Sequence, residues 1–173
     1  WFGDLLTCRD WAHAWLNEGF ATYAWPYYAE HAYGVDEAQR LKLEQADLYF
    51  AEDRVYRRPI VARTYTEPFE LFDVHLYEKS SLVLWMLRDV LGNDIFTAGV
   101  HEYVRRHARG LVVTEDFVRA MEDTSGRSLG WFFDQWIHGG GHPEFKVSYS
   151  WDDDNRRASL SVRQEQEVDA VTH

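Results

Sequence analysis

The stretch WLNEGFATY, residues 15–23, places one carboxylate, Glu18, among aromatic, small and amide side chains. Charged side chains are seldom buried unless they are paired or bind a metal. Two interpretations of Glu18 are therefore open. It either lies on a solvated helix face or is a metal ligand whose partners lie elsewhere. Thr22, one helical turn beyond it, is either a supporting partner of this carboxylate or a packed threonine.

The histidines do not form a helical metal motif. A zinc hydrolase helix would carry HExxH, in which two histidines share a face and the glutamate acts as general base, and this sequence lacks it. His101 and His107, in HEYVRRH, have a spacing that points them away from a common helix face. His138 and His142, in HGGGH, are separated by glycines, so only a flexible loop with further ligands could chelate a metal there.

The segment GRSLG, residues 126–130, matches the GxSxG pattern of a serine nucleophile. That mechanism requires a strand before the serine and an oxyanion loop upstream of it. Here the polar residues EDTS precede Gly126, and HGGG follows rather than precedes. Ser128 is therefore better interpreted as the N-cap of the next helix.

Composition restricts the class of protein. The 173 residues are 46% hydrophobic and carry a net charge of −11, which is typical of a globular chain and argues against nucleic-acid binding. Cys8 is the only cysteine, and no apolar run reaches membrane-spanning length. With no signal peptide visible, these features favour a cytoplasmic protein. Because the sequence starts at Trp1 inside an apolar stretch, we expect it to derive from a longer chain.

The first half of the chain is predicted to be helical. Asp10 to Tyr33 forms the first helix, with Asp10 as N-cap and Gly34 as the stop. Pro26 should kink or loosen it. Asp36 to Tyr56 is predicted as the second helix, and residues 57–73 as an extended, ordered loop. The aromatic side chains of the first helix are expected in the core; they are Trp11, Trp15, Phe20 and Tyr23.

Four further helices are expected before residue 138. The segment YEKSSLVLWMLRDVLG has one apolar face and ends at Gly92; that face is formed by Val83, Met86, Leu87, Val90 and Leu91. Asn93–Asp94 caps the next helix, which Gly110 stops. Thr114 caps the third, with Gly126 after it, and Ser128 caps the last, which runs to Ile137.

A β-hairpin should follow Pro143. Apolar and polar residues alternate on both sides of the turn DDDN, from Phe145 to Trp151 and from Ala158 to Val162. Because two strands alone are marginally stable, we expect the hairpin to begin a truncated β-sandwich. The chain is thus predicted to be mainly α, with residues 1–142 helical and residues 143–173 starting the next domain. Open strand edges and uncovered apolar surface predict self-association.

The run WFGDLLTCRDWAHAWLNEGFATY, residues 1–23, closely resembles the zinc aminopeptidases of the gluzincin clan, the alanyl aminopeptidase family. These carry HExxH, eighteen further residues, and then the third zinc ligand in an NEGFA-type motif. WFG commonly stands shortly after the second histidine. Counting back from Glu18 puts that histidine two positions before Trp1. LYEKSSLVLWMLRDVLG, from Leu76, resembles the family's YEKG segment, and WFFDQWIHGGGHPEFKVSYSWD, from Trp131, resembles the end of its catalytic domain.

The resemblance implies a fold, a cofactor and two site residues. The chain would be the helical C-terminal subdomain of a thermolysin-like catalytic domain. Glu18 would be the third zinc ligand, and Tyr77 would stabilise the tetrahedral intermediate of peptide hydrolysis. The substrate would be a peptide, shortened from its N-terminus. Ser80 departs from the family, which usually has glycine there.

Both zinc histidines, the general-base glutamate and the upstream GxMEN segment are absent from the 173 residues. We therefore expect this chain alone to be inactive. The alternative function is that of a non-catalytic helical module that binds a protein partner through its aromatic surface.

Overall fold

The computed structural model describes residues 1–166. Within them the chain is mainly helical, as predicted, with two short pairs of strands. The α-helices are α1 (Trp15–Tyr33), α2 (Val35–Asp53), α3 (Ser80–Leu91), α4 (Asn93–His107), α5 (Thr114–Ser125) and α6 (Gly130–Phe133). The strands are β1 (Leu6–Cys8), β2 (Gly110–Val112), β3 (Phe145–Asp152) and β4 (Arg157–Gln164).

The first helix begins later than its sequence predicts. Asp10 does act as a cap, because its side chain accepts a hydrogen bond from the Ala12 N–H, but it caps a single 3-10 turn, Trp11–His13. The α-helix itself starts at Trp15 and ends at Gly34, whose φ is 100°. The second helix starts directly after Gly34 and ends at Asp53, three residues before the predicted end at Tyr56.

Pro26 lies inside α1 without ending it. A proline has no N–H to donate to the carbonyl four residues earlier, here that of Thr22. The side-chain amide of Gln45 on α2 approaches this carbonyl with a long hydrogen bond of 3.5 Å. The Ser81 hydroxyl on α3 in turn donates to the side-chain oxygen of the same amide, Gln45 Oε1, at 2.9 Å. The proline therefore creates an acceptor that helps to join three helices.

A π-helical turn, His75–Lys79, leads directly into α3, and a 3-10 turn, Pro68–Leu71, interrupts the otherwise extended segment before it. The predicted apolar face of α3 packs inward. Val83, Leu87 and Leu91 are buried, whereas Met86 and Val90 are half-buried. Gly92 has a φ of 84°, which glycine adopts without strain, and it separates α3 from α4.

Three of the predicted helix caps are wrong. Gly92, not Asn93–Asp94, precedes α4, which has no side-chain cap. At the start of α5 the Asp116 carboxylate accepts the Val113 N–H, and Thr114 does not cap. Ser128 is exposed and lies outside the last helix, which begins at Gly130 and passes into a π-helical turn, Asp134–His138.

Strands β1 and β2 pair in parallel, with Leu6 opposite Gly110 and Cys8 opposite Val112. This ladder was not predicted. Strands β3 and β4 form the predicted antiparallel hairpin, with Val147 opposite Val162. Side chains on both faces of the hairpin are exposed.

The core lies between α1, α3, α4, α5 and α6. Trp15, Phe20 and Tyr23 are buried in it, as predicted, and Phe20 packs edge-on against Phe117 of α5. Trp11 is an exception, since it is 46% exposed, and its predicted core position is wrong. It lies in the 3-10 turn before the helix, where it contacts Phe72 instead. Within residues 1–166, no helix is both long enough and apolar enough to cross a membrane.

Candidate metal and catalytic site

Glu18 lies in the first turn of α1, with its backbone N–H bonded to the Ala14 carbonyl at 3.0 Å. It is half-buried between the buried residues Leu16 and Gly19. Within residues 1–166 its carboxylate takes part in no ion pair or side-chain hydrogen bond. Because its oxygens are not among the buried, unpartnered atoms of residues 1–166, the carboxylate is open to solvent, which is compatible with both interpretations made from the sequence.

Tyr77 lies in the π-helical turn that precedes α3. The Lys79 N–H reaches back five residues to the Val74 carbonyl at 2.8 Å, which is the hydrogen bond that defines this turn. Such turns are rare and occur frequently at functional sites. The Tyr77 ring is half-buried and packs at a tilt on Phe72, with ring centroids 6.3 Å apart.

One close contact brings the segments of Glu18 and Tyr77 together. A Cβ added at Gly19 would lie 2.6 Å from the Cβ of Ser80, so only glycine allows α1 to approach α3 so closely at this point. Ser80 is fully buried, and its hydroxyl donates to the His75 carbonyl at 2.9 Å. The serine is therefore accommodated by the π-helical turn.

The electrostatics of Tyr77 agree with this placement. Burial is the largest cause that raises the pKa of the Tyr77 phenol above its ordinary value, and the negative charges of Glu18 and Glu78 raise it further. A tyrosine phenol is already neutral at physiological pH, and an upward shift of its pKa leaves it so. A neutral phenol carries the O–H that a hydrogen-bond donor needs.

Thr22 is half-buried on α1, and no hydrogen bond joins it to Glu18 within residues 1–166. The contact that Thr22 does make is through its backbone carbonyl, which accepts the long hydrogen bond from Gln45. The structure thus gives no support to Thr22 as a partner of the Glu18 carboxylate.

The structure does not bring together the histidines of either pair considered in the sequence analysis. His101 is exposed on α4, while the His107 ring packs against Tyr103. His142 contacts Tyr49, whereas His138 is exposed beside a cavity next to Thr114 on another part of the surface. Neither pair belongs to a group of three metal-ligating side chains within residues 1–166.

Sequence reasoning missed a partly buried cluster of polar side chains next to the turn that carries Tyr77. Ligand atoms of Glu52, Asp73 and His75 all lie within 4.8 Å of one another. Glu52 ends a helix, and the other two residues lie beyond a long loop, so no fixed spacing predicts the group. The only local signal is the run DVH, which places an acid and an imidazole two residues apart.

Comparison with known proteins identifies relatives of this fold. The model of the Peptidase family M1 domain matches residues 1–136. Aminopeptidase N of Streptomyces lividans is 31% identical over 95% of this chain and 20% of its own length. Aminopeptidase N of Lactococcus lactis is 33% identical over 83% of the chain and 18% of its own length. The chain therefore spans about a fifth of these relatives.

Solved structures show the same similarity. Legionella pneumophila aminopeptidase A, in complex with aspartic acid, superposes with a TM-score of 0.74 at 25% identity, over 95% of this chain and 18% of its own. A mutant M1 zinc metallopeptidase from Deinococcus radiodurans, bound to a Tyr-Ser-Ala substrate, gives a TM-score of 0.66 at 31% identity, over 79% of this chain and 30% of its own.

Proposed function

Since the chain belongs to peptidase family M1, whose similar members include zinc metallopeptidases, we propose that it forms part of the active site of a zinc aminopeptidase that removes N-terminal residues from peptides. The observation that carries this proposal is the placement of Glu18 and Tyr77. An unpaired carboxylate and a neutral phenol lie on two segments that are held together by the Gly19–Ser80 contact.

Glu18 is proposed as one zinc ligand. A carboxylate is a good zinc ligand, and catalytic zinc sites use three protein ligands. Within residues 1–166 no other metal-ligating side chains group around Glu18. The remaining two ligands would be the histidines of an HExxH segment outside these residues, and its glutamate would act as general base. When bound, zinc would polarise the scissile carbonyl and activate water.

Tyr77 is proposed as the oxyanion donor. Its phenol would donate a hydrogen bond to the carbonyl oxygen of the substrate as negative charge develops there. A tyrosine phenol is protonated at neutral pH, as this role requires, and burial and the charge of Glu18 raise its pKa further. The ring is positioned by Phe72 and by the π-helical turn.

The 173-residue chain by itself supplies one ligand and one donor. Because such a set cannot hold catalytic zinc, we propose that the chain alone has no peptidase activity. Activity requires a polypeptide that also contains HExxH. The division at residue 142, with a β-sandwich beginning at residue 143, also stays a prediction.

The function can be tested with a longer protein that contains both HExxH and this chain. We expect it to release the first residue of a peptide with a free N-terminus but not of the same peptide after acetylation. Chelation should abolish the activity and zinc should restore it. Glu18→Gln should remove the activity, while Asp47→Asn, which removes an exposed charge from α2, should not. An inactive but folded, zinc-loaded protein would overturn the proposal and favour the non-catalytic binding module.

A further inference from the structure

The group formed by Glu52, Asp73 and His75 lies outside the proposed catalytic site. Glu52 comes from the end of α2, Asp73 from the loop that follows, and His75 from the π-helical turn. We propose that these three residues form a second metal site, for a divalent transition metal of the zinc type, that holds the turn carrying Tyr77.

The distances fit such a metal. His75 Nδ1 lies 3.4 Å from Asp73 Oδ2 and 3.8 Å from Glu52 Oε1. Ligand atoms about 2.1 Å from a tetrahedral zinc ion are separated from one another by about 3.4 Å. The ligand atoms of Glu52 and Asp73 lie within 4.8 Å of each other, and the partly exposed Glu52 side chain would have to turn towards the ion to complete the set. One imidazole and two carboxylates form a mixed nitrogen and oxygen set, which suits zinc better than calcium or magnesium.

His75 points to a ligand independently of the acids. The side chain is fully buried, and among residues 1–166 neither ring nitrogen finds a hydrogen-bond partner. Buried polar atoms are nearly always bonded, and each exception needs a cause. Tyr49 and Tyr56 pack edge-on around the imidazole at 5.8 and 5.9 Å, and Nδ1 is directed between two carboxylates.

Asp73 is held in position for this role. Its Oδ1 accepts hydrogen bonds from the backbone N–H groups of His75 and Leu76 and from Arg58 Nη2. In the described part of the chain its Oδ2 accepts a hydrogen bond only from Arg58 Nε, at 2.8 Å, and the same oxygen lies 3.4 Å from His75 Nδ1.

The surroundings also resemble those of a ligand histidine. Such a histidine usually directs its other ring nitrogen at a carboxylate, which fixes the ring. His75 Nε2 lies 3.6 Å from Asp53 Oδ1. Asp53 is itself buried and held by Tyr49 and by Arg57. Glu52 has a third of its side-chain surface exposed, so an ion can enter from its side.

The alternative to a bound metal ion is a proton on the His75 ring. An imidazolium at His75 would be balanced by the neighbouring acids Glu52, Asp53 and Asp73 without any metal ion. These two explanations are separated by adding zinc to the metal-free 173-residue chain. Binding is measured by calorimetry and by the rise in melting temperature. We expect about one equivalent of zinc to bind and to raise the melting temperature.

The variants locate the ion. Because Glu52 is partly exposed, Glu52→Gln should fold. Both Glu52→Gln and His75→Gln should weaken zinc binding by at least about 10-fold. Asp47→Asn on the same helix is the matched control and should bind like the parent chain, as should Glu18→Gln. Cobalt in place of zinc should give visible absorption bands that Glu52→Gln alters. Absent zinc binding, or binding that a folded Glu52→Gln chain keeps in full, overturns the site.

Discussion

At the residue scale, the relation between Glu18 and Tyr77 depends on the close contact between Gly19 and Ser80. An acid in an aromatic run draws attention to Glu18, but its role as a ligand, like the role of Tyr77 as a donor, was predicted from the family resemblance and stays a prediction. Sequence reasoning could not predict how the two segments meet. That depends on a missing side chain at Gly19 and on the inward-facing hydroxyl of Ser80, neither of which has a periodic signal.

Gly19→Ala should destabilise the chain. The new Cβ would lie 2.6 Å from Ser80 Cβ, so α1 and α3 must separate, and such overpacking typically costs about 1–3 kcal/mol. Urea unfolding measures the loss. Gly130→Ala is the control, since a Cβ there meets no atom within 4 Å. Adding Ser80→Gly to Gly19→Ala should recover part of the stability, and a Gly19→Ala chain as stable as the parent would refute the close contact.

Tyr77→Phe should lower turnover strongly in a protein that also contains HExxH. Removal of one oxyanion donor costs on the order of 100- to 1000-fold in turnover, about 3–4 kcal/mol. The ring and its packing on Phe72 remain. The zinc content and melting temperature should therefore stay unchanged, and the Michaelis constant should change by no more than a few-fold.

A structural tyrosine would behave in the opposite way. Loss of a buried hydroxyl's hydrogen bond would cost about 1 kcal/mol of stability and little activity. Tyr33→Phe, at an exposed position, is the control for the substitution itself. Near-normal turnover in Tyr77→Phe would show that another residue stabilises the oxyanion.

At the scale of elements, periodicity located the α-helices but not their exact starts. Thr114 illustrates the reason. Its hydroxyl accepts the Trp15 indole N–H at 2.9 Å and lies 2.9 Å from His13 Nδ1, so long-range partners replace its local capping role. The strands β1 and β2 are each three residues long, and most of the helical part of the sequence lies between them. Alternation cannot be recognised in so short a segment.

His13 makes the contact between the 3-10 turn Trp11–His13 and α5 dependent on pH. Its Nδ1 accepts the Thr114 N–H at 3.1 Å, which requires a neutral ring. Burial is the largest cause that lowers the pKa of His13 below its usual 6.5, and Asp10 opposes the shift. The unfolded chain therefore takes up a proton at higher pH than the folded chain. The stabilisation is complete above pH 6.5 and is lost as the pH falls below it.

Urea unfolding of the parent chain and of His13→Gln at about pH 7.5 and about pH 5.5 measures this effect. The advantage of the parent should be larger at the higher pH. His31→Gln, at an exposed position of α1, should show no comparable change. An advantage that stays constant, or grows on acidification, would contradict the neutral form of His13.

At the scale of the whole molecule, the hairpin of β3 and β4 carries one apolar face that the described part of the chain leaves exposed. Its members are Phe145, Val147, Tyr149, Trp151, Leu160 and Val162. The alternation that predicted the strands also predicted this face. The partner of the face could not be predicted, because a two-stranded pattern does not show what covers it.

The 173-residue chain should therefore self-associate. Exposed apolar faces and open strand edges both promote association. Light scattering over a dilution series should give a mass above that of the monomer at high concentration. The double variant Tyr149→Lys and Leu160→Lys, which places charges at a directly opposed pair of the hairpin, should shift the chain towards monomer. A parent chain that is monomeric throughout the series would contradict the expectation.

Zinc content in two polypeptides tests the proposed ligand role of Glu18 most directly. In a protein that contains both HExxH and this chain, Glu18→Ala should lose about one equivalent of zinc, because a catalytic site needs all three ligands. Asp47→Asn should lose none. In the 173-residue chain alone, Glu18→Ala should leave the zinc content unchanged. A folded Glu18→Ala protein that retains all its zinc, or a 173-residue chain whose zinc depends on Glu18, would contradict the assignment of Glu18 as one of three ligands.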